Sequence, residues 1–452
     1  VTGYAALDVG DVDQRQVSTR ADLVPRDGTA RRSVAHAAAF DAVVYGLPAA
    51  YQYAQMCRQY AETGVPTGQF VHERRLAAPG FAAFRVPNVD TLYSNAWLDL
   101  REGPVAIDLP DFGDRYFTLN LLDAFGNASN ISRRTVGPAR EVWLVAPGDD
   151  AGVPDDAVRL RVASRLMWVL MRIQVRGDDL AEIHRLQDSV LLRPVRGGRG
   201  VAAGATSVVG EVVDPDAVVT DWEAFFHAMD GALRLGGVPA DETALVRRFA
   251  VLGLAGTAAF RPGLLDEETR AGAASGFAAA MGVIDACRPQ LGEPVPTGWT
   301  KVCDKGAHGA NFLSRAVMNH VGLAANVVEE NTSFNTYVDG EGRPLGGAAG
   351  GYLLTMERPP PAGAFWSVTL YDDSGFLVPS AIDRSSVGSA TPGLLLDVDG
   401  SVTVSISAED PGVGANWLPA PRGRFFLVLR IYEPLADALS GAWLPGPVRP
   451  VA

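Results

Sequence analysis

Lysine is nearly missing from this 452-residue chain. Of 39 basic residues only Lys301 and Lys305 are lysines, which leaves 37 arginines. Both lysines fall in one pentapeptide, Lys301-Val-Cys-Asp-Lys305. A GC-rich genome writes Arg, Ala, Gly and Pro in place of Lys, Ile and Asn, and that accounts for most of the skew. Cysteine is scarce as well. Cys57, Cys287 and Cys303 are odd in number and show no CxxC spacing, so neither a disulfide framework nor a zinc ribbon is encoded. Charge is low at 20%, with a net of −13, and no apolar run nears the ~20 residues of a membrane helix. Nucleic acid would call for clustered Lys and Arg; Arg133-Arg134 and the Arg193 to Arg199 loop are basic but short. Neither a nucleic-acid nor a membrane partner is expected. Asp8, Asp11, Asp13 and Arg15 stand where the apolar core of a secretory leader would lie, so a reduced, cytoplasmic protein is expected.

The familiar catalytic signatures are also absent. There is no HExxH helix, no GxSxG elbow and no Walker A loop. Six histidines are scattered, none paired at helical metal-ligand spacing. Gly198-Arg-Gly200 with Ala203 is half a dinucleotide fingerprint, but no convincing strand precedes it. No metal and no cofactor are therefore expected.

An apolar share of 47% and this length suit a soluble protein of two or three domains. Apolar positions from Arg31 to Tyr60 recur at helical spacing, with a break or bend expected at Gly46 and Pro48. From Phe84 the pattern turns to strands, as in Arg115-Tyr-Phe-Thr-Leu-Asn-Leu-Leu122. Helices return between Asp178 and Ala325, and strands again from Asn335. An internal repeat is visible. Tyr116 to Asp123 matches Phe365 to Asp372, Arg133 to Gly137 echoes Arg384 to Gly388, and Trp143 to Pro147 echoes Trp417 to Pro421. The expectation is an α+β chain with two related antiparallel, jelly-roll-like β-sandwich domains. They would span 81–178 and 331–452, with a helical N-terminal segment (1–80) and a helical insert (179–330).

The densest polar segment is Arg85-Val-Pro-Asn-Val-Asp-Thr-Leu-Tyr-Ser-Asn-Ala-Trp97. Asn88 and Asp90 can form Asx turns after Pro87, and Arg85 can staple Asp90 or Asp99. The same groups can equally make a site: Arg85 as anion clamp, Asp90 as base, Tyr93 as acid, with Asn88, Thr91 and Ser94 around the substrate. His72, a short way upstream, has the right pKa for proton transfer near neutrality.

This run, with Gly103-Pro104 and Arg115-Tyr116, resembles the first of two paired bacterial domains of unknown function, DUF1254. Ala364 to Asp372, Asp399-Gly-Ser401, Asn416 to Pro421 and Leu429-Arg-Ile-Tyr432 resemble the second, DUF1214. Tyr45 to Pro48, His72, Gly298-Trp299 and Ser314-Arg-Ala316 fit the same pattern. The resemblance implies two β-sandwich domains with helices between them and supplies no agreed reaction. The chain departs from the pattern at Asn331-Thr-Ser-Phe334, Ser380-Ala381 and Ser385, where tyrosines and an asparagine are usual. If those line the family pocket, this one is smaller and suits a specialised substrate.

The expected function is therefore an enzyme of specialised metabolism. It would act on a small organic substrate by cofactor-independent acid/base chemistry, as a lyase, hydrolase or isomerase. His72, Asp90, Tyr93 and Arg85 are the catalytic candidates. Asn88, Thr91, Ser94, Tyr116, Asn120, Lys301, Trp366 and Arg384 are the substrate-binding ones. Lys301 is included because a buried lysine can act as base or Schiff-base amine, which arginine cannot. The alternative is a non-catalytic ligand-binding or assembly protein. Acidic charge leaves a homo-oligomer open.

Overall fold

The alanine-rich stretch after Asp27 forms one long helix, α1 (Gly28–Thr63), in the computed structural model, which describes residues 23–81, 84–194, 212–254, 259–347 and 350–451. The half fingerprint at 198–203, most of the Arg193 to Arg199 loop and the acids near the start lie outside the described residues. Asp27 caps α1 by accepting from the Ala30 amide (2.8 Å). The expected break is corrected: α1 runs through Gly46 and Pro48. Proline costs a helix its own N–H and crowds the carbonyls of the turn before it. Here the buried Arg315 guanidinium donates to the Tyr45 carbonyl of that turn (3.0 Å).

The first sandwich has nine strands: β1 (Val71–His72), β2 (Thr91–Asp99), β3 (Val105–Asp108), β4 (Phe117–Leu122), β5 (Ala128–Ser132), β6 (Glu141–Val145), β7 (Arg159–Arg161), β8 (Leu166–Gln174) and β9 (Leu191–Pro194). Helix α2 (Leu180–Ser189) joins β8 to β9. One sheet runs β1-β2-β8-β4-β5 and the other β7-β6-β3-β9. Alternation puts Leu119, Leu121, Val169 and Met171 of the larger sheet against Val105, Ile107, Val142 and Leu144 of the smaller. Ile183 and Leu186 of α2 join that core. Thus β1, β9 and α2 pack with this sandwich although they fall outside 81–178.

Three further helices, α3 (Trp222–Gly236), α4 (Glu267–Cys287) and α5 (Phe312–Val321), pack with α1 on the outer face of the larger sheet, over Tyr93, Trp97, Leu122 and Trp168. Helix α4 presses close to α1. A Cβ on Gly276 would fall 2.3 Å from the His36 carbonyl oxygen, so only glycine fits.

The second sandwich holds β10 (Glu293–Pro294), β11 (Thr300–Lys301), β12 (Asn331–Thr336), β13 (Tyr352–Met356), β14 (Ala362–Asp372), β15 (Ser386–Gly388), β16 (Val402–Ser407), β17 (Asn416–Pro419), β18 (Phe425–Pro434) and β19 (Val448–Pro450). Its sheets run β10-β11-β12-β18-β14-β15 and β17-β16-β13-β19. Strands β11 to β19 therefore repeat β1 to β9 place for place. Even the parallel pair recurs, β6 with β7 and β16 with β17. The first sequence echo holds in register: Thr118 lies opposite Arg172, and Ser367 opposite Arg430. Asp123 and Asp372 close the same turn, each accepting from the amides two and four residues ahead (all 2.9 Å). The second echo is offset, because Arg133 starts a short helix after β5 whereas Arg384 leads into β15. The third is a false match: Trp143 sits on β6 but Trp417 on β17. Each indole merely ties down a nearby acceptor, Glu141 (2.7 Å) or the Ser407 carbonyl (3.0 Å).

Candidate ligand site between the two sandwiches

The outer faces of the two larger sheets turn toward each other, and both carry a buried arginine in an otherwise apolar strand. Arg172 stands in Leu170-Met-Arg-Ile-Gln174 of β8, and Arg430 in Val428-Leu-Arg-Ile-Tyr432 of β18. Each reaches across to the segment that leads into the other sandwich. Arg430 Nη2 donates to the Val86 carbonyl (2.7 Å), ahead of β2. Arg172 Nη2 donates to the Ala324 carbonyl (2.8 Å), ahead of β12. Val86 (φ 56°) and Ala324 (φ 63°) are both left-handed, a strained state for a non-glycine residue that persists only where its surroundings hold it. The exchange is reciprocal, as a two-fold relation requires.

A cavity of about 80 Å³ lies on this pseudo-dyad. Its wall takes matched residues from both repeats: Val86 and Ala324, Asn88 and Asn326, Tyr93 and Ser333, Arg172 and Arg430. Asn331, Tyr432 and Lys305 complete the polar lining. Lys305 is buried, and its Nζ bonds Asn331 Oδ1 (2.7 Å) and Ser333 Oγ (3.2 Å). Burial first, then Arg430 and Arg172, hold its ammonium well below the ordinary lysine value. The Arg172 guanidinium lies 5.5 Å from the Tyr93 ring centre, and the Tyr93 hydroxyl accepts from the Asn88 amide (2.9 Å). No carboxylate is among the described residues of the wall. Two guanidinium groups and one amine thus converge on a single, partly open cavity.

Of the residues singled out in the sequence, Asn88 and Tyr93 line this cavity. Thr91 bonds Asn88 Oδ1 (2.9 Å), and Asn120 Nδ2 holds the Ala324 carbonyl (2.9 Å), so both brace its wall. Asp90 stands behind it. Its Oδ2 accepts from Ser367 across the interface (2.8 Å), and burial raises its pKa. Tyr116 packs edge-on to Phe365 and Tyr432 at the junction. The structure does not bring the others there. Arg85 lines a separate cleft with Tyr51 and His320. His72 bonds Ser94 (2.8 Å), and burial together with Arg74 lowers it to about 4. Trp366 is core of the second sandwich, and Arg384 donates to the Trp417 carbonyl (2.9 Å). Lys301 Nζ donates to the carbonyls of Ala438 (2.9 Å) and Leu439 (2.6 Å) in the short helix Ala436–Ser440.

Arg172, Arg430 and Lys305 are not among the site candidates read from the sequence, although Lys305 stands out there as one of two lysines. The sequence did carry a signal for the arginines, a lone charge at the same place in two apolar strands, Leu-Met-Arg-Ile and Val-Leu-Arg-Ile. Among the departures from the family pattern, Asn331 and Ser333 line the cavity, while Ser380, Ala381 and Ser385 do not. No cluster of three or more His, Cys, Asp or Glu side chains able to hold a metal occurs among the described residues, and no helix there is long and apolar enough to cross a membrane.

The VPA0106 protein from Vibrio parahaemolyticus shares this fold, with a TM-score of 0.67 at 21% identity over 92% of this chain and 100% of that one. A putative uncharacterized protein from Burkholderia cenocepacia aligns at a TM-score of 0.45 and 13% identity, over 90% of this chain and 87% of that one. No curated protein matches. Two family models do: Protein of unknown function (DUF1254) over residues 67–194, which spans the nine strands of the first sandwich, and Protein of unknown function (DUF1214) over residues 330–436, from β12 to the end of β18. The chain therefore belongs to the family that joins a DUF1254 domain to a DUF1214 domain, and its candidate site is the cavity the two domains make together.

Proposed function

We propose that the chain is an enzyme that binds a small organic anion between its two sandwiches and acts on it by acid/base chemistry without a redox cofactor. One observation carries this reading: Arg172, Arg430 and Lys305 face one cavity with no carboxylate among the described residues of its wall. Like charges held together out of water repel, and a bound anion relieves that cost. At roughly 30 Å³ per water, a space of about 80 Å³ suits an acid of a few carbons. Tyr93 and the buried Lys305 are the groups placed to move a proton. A specialised metabolic step fits the altered Asn331 to Phe334 segment, and three free cysteines fit a cytoplasmic setting.

A second reading has its own support. Both guanidinium groups already hold backbone carbonyls, which suits a staple for assembling the two sandwiches. Calorimetric titration with lactate separates the two. Saturable binding that R430M abolishes supports the site; absence of binding to the folded wild type leaves only the staple.

A further inference from the structure

Lys305 has no counterpart in the first repeat. Residue counting from the paired strands β1 and β11 puts Leu76 at its place, and Leu76 packs into the first core. The second repeat instead carries helix α5 between β11 and β12, and the segment before that helix delivers Lys305 to the cavity. A near-symmetric pocket has thus received one asymmetric primary amine. It sits beside two arginines that suit a carboxylate.

We propose that Lys305 is the nucleophilic amine of this site and forms a Schiff base with a short oxo acid, whose carboxylate Arg172 and Arg430 hold. This rests on the small-anion reading above and names its substrate class. Buried between two guanidinium groups, the amine is held toward its neutral, nucleophilic form. Asn331 Oδ1 and Ser333 Oγ orient it by accepting from its two N–H groups, which leaves the lone pair free.

The step balances. Nζ forms a C–N bond to the ketone carbon, and the C–O bond breaks. The oxygen leaves as water, taking one hydrogen from Nζ and one proton from an acid, for which the Tyr93 hydroxyl is on the wall. The cationic imine then draws in the electrons of a neighbouring bond to give an enamine: either a C–H bond, whose proton passes to the Tyr93 oxygen, or, in a 3-oxo acid, the C–C bond to the carboxylate, which leaves as carbon dioxide. A proton from Tyr93 or water then returns to the enamine carbon, and water splits the restored imine into the carbonyl product and the free amine. Arginine cannot take this role, which gives a chemical reason for a lysine here in a chain that otherwise writes arginine.

The test is reductive trapping on the full chain. Wild type is incubated with pyruvate or acetoacetate and sodium cyanoborohydride, and the adduct is located by peptide mass mapping. In parallel, the melting temperature is followed with lactate, which has the carboxylate but no ketone. The expected result is one dominant adduct on Lys305 with either oxo acid, lost in K305R and kept in K301R, and a melting temperature raised by lactate. Stabilisation by lactate with no adduct at Lys305 overturns the amine's role and leaves the small-anion reading standing. Neither stabilisation nor adduct overturns both. An adduct confined to Lys301 or the chain terminus also overturns it. Mapping on wild type decides the matter even if K305R fails to fold.

Discussion

If each arginine holds the entry segment of the opposite sandwich, removing one must loosen the other half of the molecule. R430M removes the donor to the half-buried Val86 carbonyl and to the buried Tyr371 hydroxyl (2.8 Å), which still donates to the Pro87 carbonyl. A buried polar group left without a partner costs about 1–3 kcal/mol, and of the two only the Val86 carbonyl is left so. Relief of the repulsion between Arg430 and Lys305 works the other way. A net loss of about 1–2 kcal/mol is expected, within the ordinary range for a single substitution. The location of the loss is more telling than its size. Val86 is held left-handed from two sides, its amide on the Gly375 carbonyl (2.8 Å) and its carbonyl on Arg430. Without Arg430 the strain is free to relax. Hydrogen exchange at the Val86 amide, in the first repeat, should quicken about thirtyfold for 2 kcal/mol of lost protection. The mirror variant R172M should instead expose the Val327 amide, which donates to Asn130 Oδ1 in the second repeat's entry segment (3.4 Å). Faster exchange confined to each arginine's own sandwich, with the opposite entry segment unchanged, refutes the reciprocal latch.

Other consequences follow from single contacts. Burial raises the Asp90 pKa, so its contribution to stability is complete below the unfolded value of ~3.9 and is lost as pH rises through the folded one; D90N should show a flatter melting temperature as pH rises above about 4. His72 is the opposite case: lowered to about 4, it contributes stability that is complete above 6.5 and lost as pH falls toward 4. H72Q should remove that loss, and an unchanged acid limb in circular dichroism melts would contradict it. G276V should lower the urea midpoint by the equivalent of about 1–3 kcal/mol, since the extra carbons meet the α1 backbone; a neutral result means the two helices are not in close contact. K301M should cost about 1–2 kcal/mol by freeing two helix-end carbonyls, yet leave lactate binding intact; lost binding in a stable variant would put Lys301 in the site.

Much of the fold could be read from the chain because strands repeat locally. Tyr116 to Asp123 and Phe365 to Asp372 announce one hairpin twice, and alternation fixes which face each residue takes. The N-terminal helix was legible for the same reason, but its passage through Pro48 was not. There the buried Arg315, far along the chain, donates to the Tyr45 carbonyl in the turn before the proline, a contact no local pattern announces. The cavity was hidden in the same way. Its wall is drawn from separated stretches around Asn88, Arg172, Leu291, Lys305, Asn326 and Arg430. The polar segment from Arg85 to Trp97 did mark a wall of the site through Asn88 and Tyr93. It misled elsewhere because Arg85 and Ser94 point to other surroundings.

The duplication also explains why two conspicuous residues stand away from the cavity. His72 pairs with Ser94, and Lys301 with Phe334. Since Tyr93 and Ser333 lie opposite the matched arginines 172 and 430, His72 and Lys301 occupy the same place in the two repeats. Each also approaches the helix between the eighth and ninth strands of its sandwich. His72 Nε2 lies 4.0 Å from Asp188 at the end of α2, and Lys301 bonds the carbonyls of Ala438 and Leu439. A position that takes histidine in one copy and lysine in the other, and in both leans on the same helix, is most simply a tie between edge strand and helix. Chemistry should lie where the copies differ inside the shared wall, and there the differences are specific: Tyr93 faces Ser333 across the dyad, and Lys305 enters from one side only. An ancestral pocket built from two equal halves could hold an anion symmetrically between its arginines. The tyrosine and the lysine give that pocket a direction, with a hydroxyl from one sandwich and an amine from the other.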